Sequence, residues 1–217
     1  MGTATRFNSI FQTRYLFHFH TLATDGKLKV ADYFRFARDH DFEKLIFLEH
    51  IRRSPTYDVS AFIAEVKKSS QESGIQAVTG FEAKLLPDGA LDIDESHARE
   101  AEVLGIAEHG FAGDVVTLSS ALIECFQRYE HLKPAQALVW VHPGLFFKKK
   151  GLLETELERY RDLLDRAVEA GVPVERNMRY NLVPQTIFAE LDPDSRVIGA
   201  DAHTDDDLVR YLTWRPC

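Results

Sequence analysis

The sequence predicts an α/β protein built on a parallel sheet. Two observations carry this: short β-branched, aromatic and aliphatic runs recur along the chain, and amphipathic stretches with helical spacing fill the intervals between them. Seven strands are expected, at Arg14 to His18, Leu45 to Glu49, Gln76 to Glu82, Val103 to Glu108, Ala137 to His142, Val172 to Asn177 and Val197 to Asp201. The helices expected between and after them are Val30 to His40, Val59 to Ser70, Asp114 to His131, Leu152 to Ala170 and Asp205 to Leu212. Gly171-Val172-Pro173 supplies a helix stop before a strand. Thr204 followed by Asp205-Asp206-Asp207 reads as an N-cap with an acidic first turn. Pro87-Asp88-Gly89, between Leu85-Leu86 and Ala90-Leu91, reads as a tight turn and gives a small hairpin excursion after the third strand. Such alternation fits an open doubly wound sheet or a closed barrel, and periodicity alone does not choose between them.

At 217 residues, 45% hydrophobic and 28% charged, the chain suits one globular domain over residues 1–217, and no repeat or flexible linker divides it. No run of roughly 18 apolar residues is present, and the segment from Met1 to Arg14 lacks the apolar core of a secretory signal. A cytoplasmic protein without membrane association is expected. The net charge is −8, and lysines and arginines are dispersed apart from Lys148-Lys149-Lys150, which disfavours extended nucleic acid as a partner. An acidic chain can still take an anionic substrate, because bound cations reverse the local sign. Cys125 and Cys217 have neither metal-ligand spacing nor a disulfide framework and read as a buried small hydrophobe and a tail residue.

The nine histidines are more informative. His18, His50, His109, His142 and His203 fall at or just past the C-terminal ends of expected strands, and His20 lies two residues beyond His18. His40, His97 and His131 fall in or beside helices. A single strand-end histidine is more often structural than functional. In parallel β/α folds, however, all strand C-termini converge on one face, so imidazoles far apart in sequence meet in space. Glu82 and Asp201 end strands in the same way, and Asp25 follows His20. His18 and His20, like Asp201 and His203, are separated by one residue and share a side of an extended chain. Mixed imidazole and carboxylate ligands suit zinc, manganese or iron. The set is too large for one tetrahedral ion and sufficient for two or three divalent ions if a carboxylate bridges.

These motifs, His18-Phe19-His20-Thr21 with Asp25-Gly26, Glu49-His50, Gly80-Phe81-Glu82, Glu108-His109-Gly110, His142-Pro143, Glu175-Arg176-Asn177 and Asp201-Ala202-His203, resemble the PHP (polymerase and histidinol phosphatase) superfamily in content and order. The likeness spans Leu16 to Thr204. With Leu86-Pro87-Asp88-Gly89 it is nearest to small stand-alone members and to the domains attached to bacterial family X DNA polymerases. It implies a distorted seven-stranded (β/α)7 TIM-like barrel with a trinuclear metal site at its C-terminal face. Carried over, one metal takes His18, His20, Glu82 and Asp201. A second shares Glu82 and adds His109 and His142, and a third uses Asp25, His50 and His203. Two departures stand out: the acidic partner expected for His50 is a longer Glu49 where the family commonly has Asp, and only one short helix follows the last ligand.

The expected activity is metal-dependent hydrolysis of phosphate esters, first as a phosphomonoesterase on a small phosphorylated metabolite. The alternatives are a nuclease acting on short or single-stranded nucleic acid and a non-catalytic metal-binding module. Glu82, Arg179 and Arg52 are the residues expected at the reaction itself, the two guanidiniums gripping phosphate. Glu175 and Asn177 are expected to orient ligands. Lys148-Lys149-Lys150 reads first as a solvated loop and second as a rim that steers anions. Phe17, Phe19, Phe81, Phe146 and Phe147 are expected in the core or the pocket wall.

Overall fold

The computed structural model describes residues 10–129 and 137–214. His131, Cys217 and the end of the helix expected to reach His131 lie outside the described residues. The strands are β1 (Tyr15–Phe17), β2 (Lys44–Ile51), β3 (Gln76–Lys84), β4 (Val103–Ala107), β5 (Ala137–Val141), β6 (Val174–Asn177) and β7 (Arg196–Gly199), parallel and in sequential order. The edge strands meet, since Ala200 N–H donates to Phe17 O (2.8 Å), Ala202 N–H to His18 O (3.2 Å) and His20 N–H to Ala202 O (2.9 Å). The result is a TIM-like barrel, distorted where β5 and β6 pair only at Trp140 and Val174.

Alternation along each strand separates two apolar layers. Phe17, Ile46, Leu48, Val78, Val103, Ala107, Val139, Val141 and Val197 fill the interior. Residues of opposite parity, among them Leu45, Phe47, Phe81, Leu104, Leu138 and Trp140, pack against the helices outside. The same parity decides what reaches the top of the barrel. Ile46 and Leu48 lead to His50, Val78 and Gly80 to Glu82 and Lys84, and Gly105 and Ala107 to His109. In-register pairing sets His50 beside Glu82.

The helices are α1 (Val30–Asp39), α2 (Val59–Ser73), α3 (Glu95–Glu100), α4 (Val115–Arg128), α5 (Leu145–Lys150), α6 (Leu157–Glu169), α7 (Gln185–Glu190) and α8 (Asp205–Trp214). α1 buries Val30, Tyr33, Phe34 and Ala37, the i, i+3, i+4, i+7 stripe of an amphipathic helix. Thr204 caps α8: its Oγ1 accepts from Asp207 N–H (3.3 Å), and Asp207 returns a bond to Thr204 N–H (3.1 Å). The excursion after β3 closes through Leu86 N–H to Ala90 O (2.8 Å). Three corrections arise. α3, α5 and α7 are short helices absent from the sequence expectation. The lysine run is the last turn of α5 and not a loop. The helix expected from Leu152 begins at Leu157, because Gly151 adopts a left-handed conformation (φ 69°) and residues 153–156 form turns.

Candidate metal centre

All nine expected ligands come together at the C-terminal end of the barrel. Glu82 is their hub. Its Oε2 lies 3.1 Å from His18 Nε2, 3.4 Å from His20 Nε2 and 3.6 Å from His50 Nδ1, while its Oε1 lies 3.1 Å from His142 Nε2 and 3.4 Å from His109 Nδ1. The two oxygens of one carboxylate thus face two different sets of imidazoles. His18, His20 and Asp201 offer atoms within 4.8 Å of one another, as do His18, Glu82 and His142. The third group is His20, Asp25, His50 and His203. There the Asp25 Oδ1 stands 3.4 Å from both His50 Nε2 and His203 Nε2. His20 belongs to two groups, stacked 4.1 Å from the His50 ring, and so adds to the outer set expected from Asp25, His50 and His203 alone.

The layout runs from floor to mouth. His18, His20, Glu82, His142 and Asp201 are buried, His50, His109 and His203 are partly open, and Asp25 is exposed. Three floor ligands have left-handed backbones at the ends of β1, β5 and β7: His18 (φ 63°), His142 (φ 33°) and Asp201 (φ 50°). Such conformations cost about 1–3 kcal/mol each in non-glycine residues and persist where the surroundings over-determine them. At His18 and His142, which follow the interior residues Phe17 and Val141, they swing side chains of outward parity into the convergent set.

Buried carboxylates fix the imidazoles. Glu175 Oε1 is 2.7 Å from His18 Nδ1, and its Oε2 accepts the His142 backbone N–H (2.5 Å). Asn177 Nδ2 donates to Glu175 Oε2 (3.2 Å) and Asp201 Oδ2 (3.1 Å), so both residues bond to members of the candidate ligand set. Any side chain on residue 199 would run into Glu175 Oε1, which is why glycine stands there. Glu49 does not serve the His50 ring. Adjacent strand residues face opposite ways, and Glu49 reaches 3.6 Å from His20 Nδ1 while accepting from Thr21 N–H (2.8 Å), Thr21 Oγ1 (2.6 Å) and Thr24 Oγ1. It therefore ties the loop after β1 to the cluster.

Arg179 and Arg52 part company. Arg179 Nη1 stands 2.6 Å from His203 Nδ1, donates to Asp201 O (3.2 Å) and pairs with Asp207 (3.5 Å), which sets its guanidinium at the rim of the outer group. Arg52 pairs instead with Asp92 (3.6 Å) and donates to Ile51 O (2.7 Å). Of the lysine run, Lys148 Nζ donates to Tyr180 O (2.7 Å), and the Tyr180 ring lies edge-on to His142 (6.2 Å). Lys84 escaped the sequence reading, although its place two residues beyond Glu82 puts it on the same face.

Electrostatics follows burial and neighbours. Burial opposes charge on His18, His50 and His142, but Glu175 beside His18 and Glu82 beside the other two hold all three above the ordinary imidazole value. Burial lowers His20 well below it and pushes His109 down to about 4. Burial works against ionised Glu82, yet His142 and His50 hold it well below the usual carboxylate range. Carboxylates packed this deeply demand compensating positive charge. Among the described residues, both ring nitrogens of His20 and Nδ1 of His109 and of His142 are buried without hydrogen-bond partners. Converging imidazole and carboxylate donors with orphaned nitrogens fit divalent metal ions. Neither a family model nor a curated protein matches the chain. No helix among the described residues is long and apolar enough to cross a membrane.

Proposed function

We propose that the protein is a metal-dependent phosphoesterase that uses two or three zinc, manganese or iron ions to hydrolyse a small phosphomonoester. The observation that carries this reading is the placement of Glu82, one carboxylate whose two oxygens face His18, His20 and His50 on one side and His109 and His142 on the other. Such an arrangement suits neighbouring ions sharing a bridge. Bound there, the ions would supply an acidified water and a clamp on phosphate oxygens.

The chain's own residues do the rest. Glu175 and Asn177 hold His18 and Asp201 in place, and Glu49, 3.6 Å from His20 Nδ1, holds the loop that leads to Asp25. Arg179, at the rim beside His203, is placed to donate charge-assisted hydrogen bonds to phosphate oxygens. Arg52, held by Asp92, has no such part in this reading. A small substrate is favoured because the net charge of −8 leaves no distributed basic track for a nucleic-acid backbone.

The test is to measure metal content and kcat/KM for small phosphomonoesters beside a single-stranded oligonucleotide, at matched metal and salt. Bound transition metal with a preference for small esters is expected. A clear preference for the oligonucleotide would replace this reading by a nuclease, and metal without turnover on either would leave a metal-binding module.

A further inference from the structure

Two lysines stand next to the cluster without carboxylate partners. Lys84 ends β3 on the inner face shared with Glu82 and is half-buried, where lysine is uncommon unless paired. Its Nζ lies 3.8 Å from the position that a Cβ would take on Gly110, so it hangs over the turn that carries His109. Lys149 is exposed on α5, the helix that packs beside the same turn. The start of that helix is bonded to the turn, since Gly144 N–H (2.7 Å) and Phe146 N–H (3.2 Å) both donate to Glu108. Phe146 also packs against Phe111 at 6.2 Å, and Lys149 follows Phe146 by three residues on the same helical stripe. After burial, its positive charge is among those that disfavour a proton on His109. The neighbouring lysines are otherwise engaged, Lys148 with Tyr180 O and Lys150 over the Phe146 ring (5.9 Å). Among the described residues, the ammonium groups of Lys84 and Lys149 make no side-chain hydrogen bond or ion pair.

In a chain of net charge −8, two uncompensated ammonium groups converging on one turn mark a place that expects an anion. We propose that Lys84 and Lys149 form an anion-binding position on the His109 rim of the metal centre, which holds a second anionic group of the substrate, a carboxylate or another phosphate. The inference rests on the phosphoesterase reading and narrows it: the substrate carries negative charge at both ends. A phosphate at the cluster has Arg179 on the His203 side, whereas the lysines stand by the turn that carries His109 and would meet the part of the molecule that leaves the cluster.

The experiment uses manganese-loaded protein and non-hydrolysable probes. Dissociation constants of 3-phosphonopropionate and ethylphosphonate, which share the phosphonate and differ in the carboxylate, are measured calorimetrically for the wild type, Lys84→Met, Lys149→Met and the double variant. Metal content and melting temperature are checked in each. The wild type is expected to bind the carboxylate-bearing probe about 10-fold more tightly, the scale of one charge-assisted hydrogen bond, and the double variant to lose that ratio. Lys84→Arg, which keeps the charge, should retain most of it. A ratio near one in the wild type, or a ratio unchanged in the double variant, overturns the proposal. Failure of both phosphonates to bind the loaded wild type would instead count against the phosphoesterase reading itself.

Discussion

Glu82 concentrates the chemistry of the centre in one side chain, so its removal should be felt on both sides at once. Glu82→Gln keeps shape and subtracts the charge that His142 and His50 hold ionised. The expected result is joint loss of metal occupancy and of at least about 100-fold in kcat/KM, read by elemental analysis and steady-state kinetics; full occupancy with full activity would disprove the bridge. Position also sorts the histidines. His109 and His142 face Glu82, whereas His40 packs on Phe36 (4.4 Å) at the end of α1 and His97 lies on α3, away from the cluster. Replacement of His109 or His142 by Gln should abolish most turnover, and replacement of His40 or His97 should change it by no more than a few-fold. Equal effects in the two groups would remove strand-end placement as the deciding feature. The convergence of the candidate ligands was legible in the sequence because imidazoles and carboxylates recur at strand ends. The partner of Glu49 was not, because a switch from His50 to His20 depends on strand parity and on the fold-back of the Thr21 to Thr24 loop. Nor was the ion pair of Arg52 with Asp92, which brings together residues far apart in sequence.

At the level of elements, long periodic helices and apolar strands were readable because burial of one face imposes a repeat. α3, α5 and α7 span six residues each, too few for a repeat to show; Asp94 caps α3, whereas α7 has no side-chain cap and rests on the burial of Ile187 and Phe188. α5 has a cap from a distance: Glu108, buried at the end of β4, accepts the amides of Gly144 and Phe146 at its start. Burial pushes the Glu108 carboxyl up to about 7, against an ordinary value near about 4.3. Between those values the folded chain keeps a proton that the unfolded chain has released. The contribution of this group to stability is therefore fully present below the unfolded value and lost as pH rises through the folded one. Glu108→Gln can still accept both amide bonds but cannot ionise. In metal-free protein, the melting temperature of the wild type should fall more steeply than that of Glu108→Gln as pH rises from about 5 to about 7.5. Parallel curves would show that the carboxyl ionises in the folded state as it does in the unfolded one.

On the scale of the whole molecule, barrel closure and the candidate metal centre share the same residues. β1 is three residues long and β7 four, and the seam between them is held by Ala200, Ala202 and His20 amides bonded to Phe17, His18 and Ala202 carbonyls. His18, His20, Asp201 and His203 occupy or flank that seam, and His18 and Asp201 hold left-handed conformations there. A seam so short, with strained residues and buried carboxylates at one end, is stable only to the extent that the cluster's charge is compensated. Ions bound by ligands from both sides would cross-link β1 to β7 and add RT ln(1 + [L]/Kd), about 2.7 kcal/mol at a hundredfold excess over Kd. Chelation should therefore lower the melting temperature and, more tellingly, should raise amide exchange unevenly. The amides of His20, Ala200 and Ala202 should lose protection first, whereas those at the β2/β3 interface, where eight consecutive residues pair from Lys44 to Ile51, should keep theirs. Exchange followed by mass spectrometry with and without chelator distinguishes this from uniform loosening. Equal changes at the seam and at β2/β3 would mean that the ions stabilise the barrel globally and do not act as its clasp.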